Sequence, residues 1–146
     1  MAEEMVVATR DVLIVHNDRR LGDAYRDVLQ DAGYHCTVAC NGEEALAEFR
    51  RSRPPLVITH LRLLGKYGGA ELGIVLLRHL RRENPDAAVI VASAAFERER
   101  EALELGAFAF LHVPVAIEEL LTTLDRALND RRQHETSPPW PERTTM

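Results

Sequence analysis

Five short apolar runs recur along the chain: VLIV at 12–15, CTVA at 36–39, LVIT at 56–59, AVIVA at 88–92 and FAFL at 108–111. Most are continuously apolar rather than alternating, the pattern of strands covered on both faces of a parallel sheet. Helical periodicities separate them. Leu21, Ala24, Tyr25, Val28, Leu29 and Ala32 repeat at three- and four-residue spacing, and Gly33 stops that pattern. Asn41 followed by Glu44 predicts a capping box that opens a second helix with Ala45, Leu46 and Phe49 turned inward. Leu72, Leu76, Leu77 and Leu80 mark a third helix, ended by Asn84-Pro85. The fourth, FEREREALELG, is the least apolar. Ile117, Leu120, Leu121, Leu124 and Leu128 form the fifth.

Strand–helix alternation repeated five times predicts a doubly wound α/β fold with right-handed crossovers. Residues 1–10 form an N-terminal extension, 11–130 one domain, and 131–146 a tail. With three prolines and no helical period, RRQHETSPPWPERTTM is expected to be disordered. Its SPPWP segment, which carries Trp140, is expected to be extended, or to order on a partner.

Composition narrows the function classes. A 46% apolar and 28% charged chain of 146 residues suits one soluble domain. The net charge of −5 and the lack of a basic stripe argue against nucleic acid. No apolar run approaches the roughly 20 residues that cross a bilayer. MAEEMVVATR lacks the basic start of a signal peptide, so the expected location is the cytoplasm. Cys36 and Cys40 have no second pair to complete a zinc site and are expected to be reduced thiols.

Ligands of open parallel sheets bind beyond the carboxyl ends of the strands, where strand order reverses. Those ends are followed by His16-Asn17-Asp18, Cys40-Asn41, His60, Ser93 and His112-Val113-Pro114. If the strand order is 2-1-3-4-5, His16, Asn17, His60 and Ser93 share one crevice. Strand alternation aims His112 away from it.

From about Asp11 to Asp130 the chain resembles the receiver domain of two-component response regulators, of the chemotaxis-regulator type. VLIVHND, NGEEAL, PPLVITH, VIVASA and GAFAFLHVP match that family's landmarks in order. The resemblance implies a flavodoxin-like (βα)5 fold with sheet order 2-1-3-4-5. It also implies a bacterial-type signalling role, through a signalling partner such as a kinase, a regulator or another receiver. A homodimer through the fourth helix, fifth strand and fifth helix is the related possibility.

The chemistry departs from the family. His16 and Asn17 stand where the acidic pair stands, with Asp18 the only carboxylate nearby. His60 replaces the phosphoacceptor aspartate and Val113 the phosphate-gripping lysine. Ser93, Pro114 and the switch aromatic Phe110 keep their family types. Mg²⁺ wants oxygen ligands, so its binding is expected to be lost, and no acyl phosphate can form at residue 60. The losses are mutually consistent, because a lysine among neutral neighbours would be an uncompensated charge. About five extra residues follow His60, with Leu64 at the family's usual proline and Gly65, Gly68 and Gly69 in the loop. From Ser93 to Gly106 the chain is about two residues short.

The expectation is therefore a stand-alone, degenerate receiver that binds a protein partner and is not an enzyme. One alternative makes His16 and His60 ligands of a transition metal, or part of a small-ligand sensor. Another makes His60 a phosphohistidine acceptor. A flavodoxin-like cofactor carrier is disfavoured, since HNDRRLGD has no Gly-rich loop to cradle phosphate. The charge run EREREALE reads either as a solvated helix face or as a docking surface.

Overall fold

The computed structural model describes residues 10–61 and 69–135. Its elements are β1 (Asp11–Val15), α1 (Arg19–Asp31), β2 (His35–Ala39), α2 (Gly42–Ser52), β3 (Leu56–Thr59) and α3 (Gly69–Glu83). They continue with β4 (Ala88–Ser93), a 3₁₀ turn (Phe96–Arg98), α4 (Glu99–Glu104), β5 (Ala109–His112) and α5 (Ile117–Glu135). The five strands form one sheet in the order β2-β1-β3-β4-β5, and every pairing is parallel.

The continuous apolar runs divide by alternation between two cores. On one face Val12, Ile14, Leu56, Ile58 and Ile90 pack with Leu29 of α1 and Leu120, Leu124 and Leu128 of α5. On the other, Leu13, Val15, Val57, Val89 and Val91 meet Phe49 of α2, Ile74, Leu77 and Leu80 of α3, and Ala102 of α4. Covering both faces is what makes each strand apolar throughout.

Local signals terminate the helices as their residues dictate. Gly33 adopts φ 99° at the end of α1, and the Tyr34 amide donates to the Leu29 carbonyl at 3.0 Å, which satisfies an orphan acceptor. At α2 the Glu44 amide donates to Asn41 Oδ1 at 2.8 Å. Glu44 reaches back to the Cys40 amide at 2.8 Å rather than to that of Asn41. The fourth helical region is short, one 3₁₀ turn and six α-helical residues.

Two expectations about the ends change. The helical backbone of α5 runs to Glu135, so residues 131–135 belong to the helix rather than to a disordered tail. A helix already anchored by Leu120, Leu124 and Leu128 propagates cheaply through polar residues. At the other end, the Arg10 carbonyl accepts from the His35 amide at 2.9 Å, so the ladder starts one residue inside the expected extension. Residues 1–9, the loop with Leu64, Gly65 and Gly68, and the Trp140 segment lie outside the described residues. Gly69 opens α3.

Candidate functional site

Where β1 ends, the His16 amide still donates to Ala39 of β2 at 2.9 Å. This extends the ladder by one step and holds the ring over the sheet's carboxyl edge, 7% exposed. The Asp18 amide donates to His16 Nδ1 at 3.0 Å. That makes Nδ1 an acceptor and leaves the proton of the neutral ring on Nε2. From β3, the His60 amide donates to the Val15 carbonyl at 3.2 Å. His60 Nδ1 lies 3.4 Å from the same oxygen. A carbonyl only accepts, so this contact puts the His60 proton on Nδ1 and leaves Nε2 as a lone pair.

The β1–β3 pairing brings the two rings together. Their centroids are 3.9 Å apart at 47°. Tyr25 of α1 joins them, 5.6 Å from His60 and 6.0 Å from His16. Burial disfavours the imidazolium of both histidines. It pushes His60 down to about 4, with help from neighbouring His16. His16 is lowered by burial against the opposing pull of Asp18 and Asn17. Both are neutral at pH 7.

These rings wall a crevice of about 670 Å³. Asn17, Ser93, Val113 and Pro114 line it as the sequence indicates. Ser93 Oγ accepts from the Ala95 amide at 2.9 Å, with its hydroxyl proton left to donate. Val113-Pro114 is a cis bond.

Three other residues lie outside the crevice, His112 among them as strand alternation indicates. Asp18 does not line the crevice. Its carboxylate caps α1, accepting from the Arg20 and Leu21 amides at 3.0 and 3.4 Å, because a helix start presents unpaired N–H groups that attract an acidic side chain. Phe110 is buried in the core beneath α2, α3 and α4. His112 points outward, pairing with Glu99 at 2.8 Å and stacking on Phe96 at 4.3 Å. Replacing Asp18 by Ala is expected to cost about 1 kcal/mol of stability in urea unfolding, while Asp18→Asn retains the cap and most of that stability.

Sequence reasoning missed the helical side of the crevice. Leu21, Ala24, Tyr25 and Val28 of α1, with Ile117 and Leu120 of α5, line it as well. All of them read as ordinary core positions. A signal lay in the stripe on α1, wider than its contact with the sheet needs; Leu21 and Ile117 are 51% and 48% exposed.

Elsewhere, the acidic–basic run forms local pairs: Arg98–Glu101 at 2.7 Å and Arg100–Glu104 at 3.7 Å. Phe96 and Leu103 stand exposed among them. Cys36 and Cys40 are free thiols, and burial pushes Cys36 up to about 11, away from a reactive thiolate. No helix among the described residues is long and apolar enough to cross a membrane.

A five-stranded parallel sheet in this order, with its crevice at the carboxyl ends of β1, β3 and β4, defines a flavodoxin-like doubly wound α/β module. Residues 12–125 match the response regulator receiver domain, and the chain belongs to that family. Among its relatives, a response regulator receiver protein of Anaeromyxobacter sp. (strain Fw109-5) is 37% identical over 114 residues, covering 77% of this chain and 46% of that protein. The nitrogen assimilation regulatory protein NtrX of Azorhizobium caulinodans is 30% identical over 84% of this chain and 27% of its own length. The chain thus spans less than half of these relatives. Among solved structures, the NtrX receiver domain of Brucella abortus is similar with TM-score 0.74 and 27% identity, over 87% of this chain and all of that one. A CheY-like receiver domain protein from Methanospirillum hungatei JF-1 shares the fold with TM-score 0.79 at 23% identity, over 87% and 99% of the two chains.

Proposed function

We propose that this receiver is degenerate: a protein-interaction module of two-component or phosphorelay signalling that is not phosphorylated on aspartate. The observation that carries the reading is the His16–His60 pair, two neutral rings whose centroids lie 3.9 Å apart in a crevice lined, among the described residues, by no Asp, Glu, Lys or Arg. Mg²⁺ does not fit there. It requires oxygen ligands, and the carboxylate of Asp18 is turned to the amides of α1. Phosphoryl transfer depends on charge neutralisation by such an ion or by a cation, and Val113 supplies none.

With the switch chemistry gone, output rests on surfaces. Phe96 and Leu103, framed by the ion pairs of α4, form the face for a signalling partner or a second copy. Intact mass after incubation with Mg²⁺ and acetyl phosphate tests the reading. The mass is expected to stay that of the unmodified chain. An adduct stable to base but labile to acid, and absent from His60→Ala, would show His60 to be a phosphohistidine and overturn it.

Of the ligand classes considered for His16 and His60, a transition metal has little support. One His16 nitrogen is already engaged, and among the described residues no group of three or more His, Cys, Asp or Glu comes together. The size and apolar character of the crevice favour a small organic ligand instead.

A further inference from the structure

The crevice is much larger than a phosphoryl group requires. Its volume of about 670 Å³ falls within the range of small-molecule sites. One wall is aromatic, built from His16, His60 and Tyr25, with ring centroids 3.9 to 6.0 Å apart. Most of the remaining lining is aliphatic, from Leu21, Val28, Val113, Val115, Ile117 and Leu120.

The polar groups are few and complementary. His16 Nε2–H is a donor, and His60 Nε2 is an acceptor. Among the described residues the Tyr25 hydroxyl makes no hydrogen bond, so it is available to either kind of partner. Among the described lining residues an anion or cation would lose hydration without meeting an opposite charge. A neutral ring would lose little hydration, stack on the aromatic wall and use one or two hydrogen bonds for orientation.

We infer that the crevice between α1 and α5 binds a neutral aromatic small molecule, seated against His16, His60 and Tyr25 and held by one or two hydrogen bonds. The inference rests on the reading that no phosphoryl chemistry occupies the crevice. The ligand would take the position of the missing phosphoryl group and touch α1, the ends of β1, β3 and β4, and α5 together.

The test is a fluorescence titration of the full chain with N-phenyl-1-naphthylamine, a neutral aromatic probe. Its anionic counterpart with a closely related frame, 1-anilinonaphthalene-8-sulfonate, is the charge control. Saturable binding of one neutral probe per chain is expected, with the sulfonate binding at least about tenfold more weakly.

Two variants place the site. Ala24 is exposed yet lines the crevice, so Ala24→Trp fills it without entering the core. Ile117→Asp charges the rim at the first residue of α5, where an acid suits the helix start. Each is expected to weaken the neutral probe at least about tenfold. Ile117→Asp carries the test if Ala24→Trp fails to fold.

Non-saturable binding, equal affinity for both probes, or unchanged binding in a folded variant would overturn the inference. Intact mass of the same preparation after acetyl phosphate separates the two claims. A phosphoryl adduct removes the reading beneath the inference. An unmodified chain that does not bind the neutral probe removes the inference alone.

Discussion

Between pH 7 and pH 4.5 the wild-type protein is expected to lose about 2 kcal/mol more unfolding free energy than His60→Gln. The folded chain keeps His60 neutral until about pH 4, whereas an imidazole free of the fold takes its proton near 6.5. Inside that window the unfolded state binds a proton that the native state refuses. Stability is therefore full above pH 6.5, falls as the pH drops towards 4, and stops falling through this group below it. His16 is lowered in the same direction, but it is present in both proteins and its contribution drops out of the difference. Among the described residues no carboxylate lines the crevice to reverse the effect, and Tyr25 stays neutral throughout, its hydroxyl raised by burial. Glutamine keeps a polar side chain at residue 60 without a titrating ring. Urea unfolding of both proteins at the two pH values is the measurement. Equal losses in the two would mean that His60 is not held neutral by the fold.

Gly73→Ala is expected to destabilise the domain by about 3 kcal/mol, although alanine is the better helix former by about 1 kcal/mol. The Gly73 amide donates to the Leu61 carbonyl at 3.1 Å. A Cβ at residue 73 would lie 2.7 Å from the Leu61 carbonyl carbon, and nearer still to its Cα and oxygen. Those atoms are backbone. They cannot rotate away as the end of a side chain would, and Leu61 is itself fully buried. The overlap therefore outweighs the propensity gain. Leu61 directly follows His60, so the same substitution is expected to move the imidazole and weaken probe binding in the crevice. Urea denaturation of the variant checks the first effect; a neutral or stabilising result would show that the close approach of α3 to Leu61 does not persist in solution.

The first effect arises at the carboxyl edge of the sheet, and the second beside it, where α3 approaches Leu61. A carboxylate cluster holds a pocket open by hydration and a bound ion. Here two imidazoles fill the carboxyl edge of the sheet by contact with each other, and their neutrality depends on exclusion from water. Among the described residues the crevice around them is mostly apolar.

The elements were legible in the sequence because each rests on local physics. Continuous apolar runs of four or five residues cannot face water on either side, so they became strands within one residue of their expected bounds. Asn41 with Glu44, Gly33 and Asn84-Pro85 set helix ends through hydrogen bonds and φ values made within a few residues. Residues at the crevice were legible too, since a parallel sheet delivers the residues after β1, β3 and β4 to one edge whatever their identity. What the sequence determined by itself was therefore the α/β class, the helix and strand periods, and the absence of carboxylates at residues 16, 17 and 60.

Only the tertiary structure decided what those residues do. Asp18 has the charge of a metal ligand, but the free amides of α1 compete for it and win. Leu21 and Ile117 have core periodicity, but packing leaves a gap between α1 and α5 and both edge it. The 3.9 Å approach of His16 and His60 joins residues 44 positions apart, and it exists because β1 and β3 pair in register, Val15 beside Thr59. Periodicity and capping are properties of neighbours in the chain. Burial, protonation and the shape of a crevice depend on which surfaces meet, and those meetings are made across the sheet.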